Sequence, residues 1–238
     1  MSVEVSEIRA VVFDLYNTLC VNPRESWIKT FQNICQIEHL ELDPADLYTH
    51  WKDLELNTRR ERVNIDDISL TRRFVPYRDV WESCFREIFG YFRFQADPAD
   101  AARLCIEDMG QRPLFPGSRR VLEILRRKYK IGLLSNADDS FLLPFLEKAD
   151  LGFDAALSSE NVGAYKPHPK GFMTISAQLG VEPHQVLFVG DTLLDDILGA
   201  QRVGMMTAYV VGDNSNHTEE STVPDLRITT VRELLDLL

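Results

Sequence analysis

The sequence lacks the segments that direct a protein out of the cytoplasm or into a membrane. Its first ten residues, MSVEVSEIRA, show no basic stretch followed by an apolar one, as a secretory signal requires. No run approaches the roughly 18 uninterrupted apolar residues that a membrane-spanning helix needs. We therefore expect a cytoplasmic protein that is neither exported nor inserted into a membrane.

Cysteine and positive charge are both scarce. The four cysteines form no CxxC pair, which gives no sign of a zinc knuckle or a disulfide framework, and we expect buried free thiols. Lysine and arginine number 26 against 37 acidic residues, for a net charge of −11 that repels polyanions. The short basic clusters at 59–62 and 72–73 are typical of solvated helix faces. We expect no nucleic-acid partner.

The second half of the chain alternates between strand-like and helix-like patterns. Short runs that are apolar throughout suit parallel strands that helices cover on both faces. They occur at 130–135, 153–157, 185–191 and 206–212, with helical patterns near 117–129, 140–149, 168–180 and 195–203. The repeated βα unit predicts a doubly wound parallel α/β sheet.

The segment from 21 to 112 has a different pattern. Its apolar residues follow helical spacing and show no clear pair of strands. The chain therefore enters the sheet once at 11–13, leaves it for a helical segment and returns through the turn-like PLFPGS. We predict an α/β core made of 1–20 and 113–238, with 21–112 inserted as a helical cap.

Polar residues follow each of the first four predicted strands. They are Asp14, the pair Ser135–Asn136, Lys166 and Asp191. Any one alone is typical of a turn or a cap, but the carboxyl ends of parallel strands meet at one sheet edge, where ligands bind. Two carboxylates there repel each other unless a cation joins them, and Mg²⁺ prefers such oxygen ligands. The pattern therefore predicts a metal or a lysine between them.

Four ordered segments, FDLYNTL, LLSN, YKPHP and FVGDTLLDD, resemble the motifs of the haloacid dehalogenase-like (HAD) hydrolase superfamily. The resemblance covers nearly the whole chain and implies a Rossmann-like core, a helical cap, a small-molecule substrate and Mg²⁺. It makes Asp14 the nucleophile, which forms a covalent intermediate. Thr18, Ser135 and the backbone of Asn136 then hydrogen-bond the nucleophile or the transferred group.

The same resemblance assigns the charged residues of the site. Lys166 holds the nucleophile and offsets negative charge on the substrate. Asp191 is the metal-binding acid, and Asp196 supports the site and is expected with Asp14 among the metal ligands. Asp195 is expected to lie beside Asp196 in solvent.

Tyr16 departs from the phosphatase pattern. Phosphatases of this superfamily usually carry a second Asp two residues after the nucleophile, as the general acid/base. Tyrosine, with an ordinary pKa near 10, is a poor substitute at neutral pH. Its backbone carbonyl still has the position of a metal ligand, and its ring equally suits packing under the cap. The segment FDLYNTL is also similar to that of the L-2-haloacid dehalogenases, whose halide leaves without a proton.

Other positions depart from the dehalogenase pattern. Asp191 stands where the metal-independent dehalogenases have a serine-rich loop. Lys52 replaces their substrate-binding cap arginine and lacks its bidentate fork, and Phe172 replaces an aromatic hydroxyl. Three hypotheses stay open: a Mg²⁺-dependent phosphate-ester hydrolase, a metal-independent dehalogenase, and a catalytically weak binding or regulatory protein.

Overall fold

The computed structural model describes residues 5–212 and 222–238. Its central element is a six-stranded sheet in the order β3-β2-β1-β4-β5-β6, with every neighbouring pair parallel. The predicted doubly wound α/β sheet is thereby confirmed. The strands are β1 (Ala10–Phe13), β2 (Lys130–Ser135), β3 (Ala155–Ser158), β4 (Val186–Gly190), β5 (Met206–Val210) and β6 (Leu226–Ile228).

The central strands are apolar because helices cover both faces of the sheet. Every residue of β1, β4 and β5 is buried. Phe13 at the end of β1 pairs in register with Leu133 of β2 and Val189 of β4. Because these strands run in parallel, the residues that follow them emerge at the same edge of the sheet.

Helices fill the intervals between the strands and the long segment after β1. The predicted helix at 195–203 is a π-helix, Leu193–Leu198, followed by a short α-helix. The helices are α1 (Arg24–Ile37), α2 (Pro44–Glu61), α3 (Tyr77–Phe92), α4 (Pro98–Met109), α5 (Ser118–Leu125), α6 (Asp139–Ala149), α7 (Ser159–Val162), α8 (Pro169–Leu179), α9 (Gly199–Gln201) and α10 (Leu234–Leu237). Short 3₁₀ turns lie at Val5–Glu7, Ile68–Leu70, Pro183–Gln185 and Val231–Glu233.

The chain divides into two compact units. The sheet unit consists of Met1–Val21, Pro113–Asn136 and Asp150–Leu238, and the helical unit of Asn22–Arg112 and Ala137–Ala149. One stretch of the helical unit runs from residue 22 to residue 112, and the role of this stretch as a cap stays a prediction. The segment 137–149 differs, because its position after β2 suggests a core helix whereas its contacts are with α4.

An aromatic cluster forms the interior of the helical unit. It includes all three tryptophans, Trp27, Trp51 and Trp81, with ring centroids 5.2 to 5.8 Å apart. Phe141 of α6 stacks on Trp81 at 5.8 Å, which explains why α6 groups with this unit. Large buried rings dominate such cores because each removes a wide apolar surface from water.

The structure also bears on the cysteines and on the search for membrane-spanning helices. All four cysteines are buried and free, as predicted. None of the helices in the described part of the chain combines the length and apolar character needed to span a bilayer.

Candidate active site

Asp14 lies just beyond the carboxyl end of β1. Its backbone N–H donates to the Val189 carbonyl at 2.8 Å and so extends the pairing with β4, and the residue is 7% exposed. The chain then turns sharply, since Leu19 N and Cys20 N both donate to the Leu15 carbonyl. The turn passes through Asn17 at φ 63°, a conformation that asparagine tolerates better than most residues. This tight turn fixes Asp14 at the edge of the sheet.

Lys166 connects two buried carboxylates. Its Nζ donates to Asp14 Oδ1 and to Asp196 Oδ1, both at 2.6 Å, and its side chain is 3% exposed. Burial lowers the pKa of this ammonium, but the two carboxylates outweigh burial and raise the pKa above its ordinary value. The lysine is therefore a permanent positive charge between the ends of β1 and β4.

Burial dominates the ionisation of Asp14 itself. It raises the pKa of the carboxyl from 3.8 to about 6, opposed by the attraction of Lys166 and reinforced by the negative charge of Asp196. A carboxylate with this pKa is mostly ionised at neutral pH and retains more proton affinity than an exposed one. Both properties are compatible with a nucleophile in a desolvated site.

Asp196 reaches the end of β4 because Gly190 has no side chain. A Cβ on Gly190 would lie 2.5 Å from the Cβ of Asp196, closer than two carbon atoms can approach. The second oxygen of Asp196 accepts from Thr192 N at 3.0 Å and Thr192 Oγ1 at 2.6 Å. The glycine and the threonine therefore aim Asp196 at Lys166.

Three carboxylates lie close enough together to share a metal ion. One oxygen each of Asp14, Asp191 and Asp196 falls within 4.8 Å of the others. Carboxylates this close together repel one another, which favours a cation between them, and an all-oxygen donor set fits Mg²⁺. Both oxygens of Asp196 also accept hydrogen bonds, one from Lys166 and the other from Thr192.

Two hydroxyl groups of the predicted site are buried without a hydrogen-bond partner in the described residues. Thr18 Oγ1 lies in the turn after β1, and Ser135 Oγ lies at the end of β2, with the residues 2% and 1% exposed. Buried hydroxyls are normally paired, and leaving one unpaired is costly. Two such groups in motifs that follow neighbouring strands are compatible with hydrogen bonds to a bound substrate.

Asn136 has a contact that the motif does not indicate, and Asp195 lies elsewhere than expected. The Asn136 side chain hydrogen-bonds the main chain of Lys166, and the role predicted for the Asn136 backbone stays a prediction. The expectation that Asp195 faces solvent is wrong, since it is 6% exposed and accepts from Asn136 Nδ2 at 3.4 Å. Asp195 and Asp196 are consecutive residues of the π-helix Leu193–Leu198, and both are buried.

Three further residues discussed from the sequence are Lys52, Tyr16 and Phe172. Lys52 belongs to the helical unit, where its Nζ pairs with Glu55 at 2.6 Å. Tyr16, two residues after Asp14, is 9% exposed. Phe172 is fully buried against Phe188 at 5.0 Å and is a core residue of the sheet unit. The substrate role of Lys52 and the metal-binding role of Tyr16 stay predictions.

Comparison with known proteins identifies the family. A family model described as "Hydrolase: haloacid dehalogenase-like hydrolase" matches residues 8–204. This chain belongs to the haloacid dehalogenase-like hydrolases, as its four motifs predict. It is a hydrolase of α/β fold whose carboxylate-lysine cluster lies at the carboxyl edge of the sheet.

The individual relatives carry two different activities. The chain is 39% identical to glyceraldehyde 3-phosphate phosphatase of Methanopyrus kandleri over 89 residues, which cover 36% of this chain and only 38% of that protein. It is 24% identical to (S)-2-haloacid dehalogenase of Pseudomonas sp. (strain YL) over 97% of this chain and 94% of that one. The Bacillus subtilis HAD-hydrolase YfnB, solved bound to magnesium, shares the fold with a TM-score of 0.78 and 18% identity, covering 97% and 98% of the two chains.

Proposed function

We propose that this protein is a Mg²⁺-dependent hydrolase of small phosphate esters with Asp14 as its nucleophile. The observation that carries the proposal is the cluster of Asp14, Asp191 and Asp196 within 4.8 Å. Lys166 Nζ pairs with Asp14 and Asp196 at 2.6 Å each, and a cation beside the three carboxylates would offset their mutual repulsion. A haloacid needs no such excess of carboxylates, whereas a phosphate dianion approaches them only with a cation present.

Each residue of the cluster has a separate role in the proposed hydrolysis of a phosphate ester. An oxygen of Asp14 attacks phosphorus, so that an aspartyl-phosphate bond forms as the bond to the leaving oxygen breaks, and water later hydrolyses that intermediate. Lys166 keeps Asp14 ionised and oriented. The hydroxyls of Thr18 and Ser135 donate to the phosphoryl oxygens, which gives both buried groups a partner. Asp14 and Asp191 would hold Mg²⁺, which would supply positive charge to offset the negative charge of the phosphoryl group.

L-2-haloacid dehalogenation is the second candidate function. Tyr16 favours it, because a tyrosine two residues after the nucleophile is no strong acid and a departing halide needs no proton. The relative aligned over 94% of its length is a dehalogenase, which also favours it. Asp14 would be the nucleophile and Lys166 its cationic partner in both reactions. Asp191 and the requirement for metal therefore distinguish phosphate-ester hydrolysis from dehalogenation.

The test compares two substrates with and without metal. Release of p-nitrophenol from p-nitrophenyl phosphate and of chloride from L-2-chloropropionate is measured in saturating Mg²⁺ and in chelator. We expect phosphatase turnover that requires Mg²⁺ and no chloride release. Asp191→Asn should lower the phosphatase rate and weaken Mg²⁺ binding, whereas Asp236→Asn, an exposed change of the same charge, should do neither.

Chloride release in chelator, unaffected by Asp191→Asn, would overturn the phosphatase proposal in favour of dehalogenation. No turnover of either substrate under any condition would overturn both. The third hypothesis, a weak binding or regulatory protein, would then be the one that remains.

A further inference from the structure

The side-chain amide of Asn136 hydrogen-bonds both the backbone N–H and the backbone carbonyl of Lys166. Lys166 lies in a turn between α7 and α8, so no helix or strand supplies partners for its backbone groups. Asn136 Oδ1 accepts from Lys166 N at 2.8 Å, and Asn136 Nδ2 donates to Lys166 O at 3.3 Å. Buried backbone groups need partners, and here a single planar amide supplies both.

Asp195 contacts the far side of the same amide. Its Oδ2 lies 3.4 Å from Asn136 Nδ2, and the residue is 6% exposed. An ionised carboxylate only accepts hydrogen bonds, so it favours the NH₂ group of Asn136 on its own side. The carbonyl oxygen of Asn136 is then left to face the N–H of Lys166. Asp195 therefore selects one of the two orientations that the amide can adopt.

This arrangement connects three strand ends around Asp14. Asn136 follows β2, Lys166 comes after β3, and Asp195 lies in the π-helix after β4. The Nζ of Lys166 contacts Asp14 Oδ1 and Asp196 Oδ1 at 2.6 Å only if its main chain is held at the right distance. The long lysine side chain has many rotamers, so its ammonium is only as well placed as its backbone.

We propose that Asn136 is a positioning residue for Lys166 and that Asp195 acts through Asn136 by fixing the orientation of its amide. The inference rests on the proposed function of Lys166, because it describes how that ammonium is aimed at the nucleophile. It assigns the Asn136 side chain and Asp195 to the support of the site rather than to contact with substrate.

The kinetic test is a double-mutant cycle on p-nitrophenyl phosphate with Mg²⁺. Asn136→Ala should lower kcat by about 10- to 100-fold with little change in KM, because a displaced ammonium stabilises the transition state less. Asp195→Ala should give a smaller loss in the unmodified background. It should give no further loss in the Asn136→Ala background, because Asp195 has no amide left to orient.

A double variant that exchanges the carboxylate and the amide between positions 136 and 195 distinguishes a positioning role from general destabilisation of the fold. Asn136→Asp sets two carboxylates side by side and turns an acceptor toward the Lys166 carbonyl, so it should be the worst single variant. Adding Asp195→Asn places an amide at position 195 that can donate to the carboxylate at position 136. This second change should recover part of the lost kcat. Asp154→Asn is the matched control, since Asp154 Oδ2 accepts from Ile131 N at 2.7 Å at the opposite end of β2. It should lower the unfolding temperature and leave kcat unchanged.

A crystal structure of Asn136→Ala supplies a readout that needs no activity. We expect Lys166 Nζ to lose its contact with Asp14 Oδ1. Lys166 unmoved in that structure, or independent effects of Asn136→Ala and Asp195→Ala on kcat, would overturn the inference. If the unmodified protein hydrolyses neither substrate, the proposed function fails, and the position of Lys166 together with the same cycle in unfolding free energy decides this inference separately.

Discussion

At the scale of single residues, the burial of Asp14 makes the free energy of unfolding depend on pH. Burial raises the pKa of this carboxyl to about 6, although Lys166 lies 2.6 Å away. A raised folded-state pKa means that folding favours the protonated form. The contribution of Asp14 to stability is therefore full below its ordinary pKa of 3.8 and is lost as the pH rises through about 6. At neutral pH the ionised, buried Asp14 carboxylate therefore lowers the free energy of unfolding.

Asp14→Asn should consequently remove activity without weakening the protein. Asparagine keeps an oxygen that accepts from Lys166 and carries no charge to desolvate, while Lys166 keeps its pair with Asp196. In chelator at pH 8 the free energy of unfolding should rise by on the order of 1 to 3 kcal/mol, and the gain should vanish near pH 4. Urea unfolding at both pH values measures it, and kcat should fall by orders of magnitude.

The comparison variant for this experiment is again Asp154→Asn. It removes one carboxylate from the same sheet but keeps the nucleophile, so it should lose stability and keep turnover. A purified Asp14→Asn protein with more than about a tenth of the original rate would exclude Asp14 as a covalent nucleophile.

Tyr16 is the residue that separates the two candidate chemistries. If the protein is a phosphatase without its usual proton donor, Tyr16→Asp should raise kcat on p-nitrophenyl phosphate, because a positioned acid/base contributes about 10²- to 10⁴-fold. Alkyl phosphates, whose leaving groups need the proton more, should gain more than p-nitrophenyl phosphate. Rates in saturating Mg²⁺ measure the effect, because the new carboxylate increases the need for a cation.

Tyr16→Asn is the matched change, with the same small side chain and no carboxyl group. It should give no gain if proton transfer is the reason for the effect. A Tyr16→Asp protein that folds, binds Mg²⁺ and gains nothing on a panel of phosphate esters contradicts the phosphatase proposal.

At the scale of elements, α3 begins with a cap that comes from a distant part of the chain. Pro76 precedes the helix and offers no side-chain acceptor. Both oxygens of Asp138 accept instead, from Tyr77 N and Arg78 N at 2.8 Å each, and Asp138 is 1% exposed. The carboxylate also lies at the positive end of the helix dipole, which favours it there. Asp138 and α3 both belong to the helical unit, so this cap joins two separate stretches of the chain within that unit.

Asp138→Ala should destabilise the protein by about 2 to 4 kcal/mol, because it leaves two backbone N–H groups without their acceptor and removes a buried charge. Chemical unfolding measures the change. Asp43→Ala is the control, since Asp43 is an exposed cap that accepts only from Ala45 N, at 2.8 Å, and its loss should cost about 1 kcal/mol or less. Equal losses for the two variants would contradict the role of Asp138.

Elements with a local signal were predictable, and those that depend on distant contacts were not. The bounds of β2 coincide with its apolar run, and the ends of β1 and β4 place Asp14 and Asp191 as their positions in the sequence indicate. Strand β6 has only three residues, one of them an exposed arginine, and gives no comparable pattern. The cap on α3 and the contact of Asp195 with Asn136 join residues about sixty positions apart, which no local pattern reports.

At the scale of the whole molecule, the chain passes between its two compact units four times. It crosses near residues 21, 112, 136 and 149, so neither unit is one continuous stretch of polypeptide. The first two crossings follow from the helical pattern of the sequence. The other two depend on the packing of α6 against the tryptophan cluster, which is a tertiary property.

The placement of α6 limits how this protein can be recombined with its relatives. A chimera that exchanges only the stretch between residues 22 and 112 would keep a helix whose Phe141, Leu142 and Phe145 are buried. Those side chains would meet a foreign surface that had not been selected to receive them, and aggregation would be the expected outcome. The transferable module is therefore discontinuous: a graft must carry both gene segments, and natural exchange at two breakpoints is disfavoured.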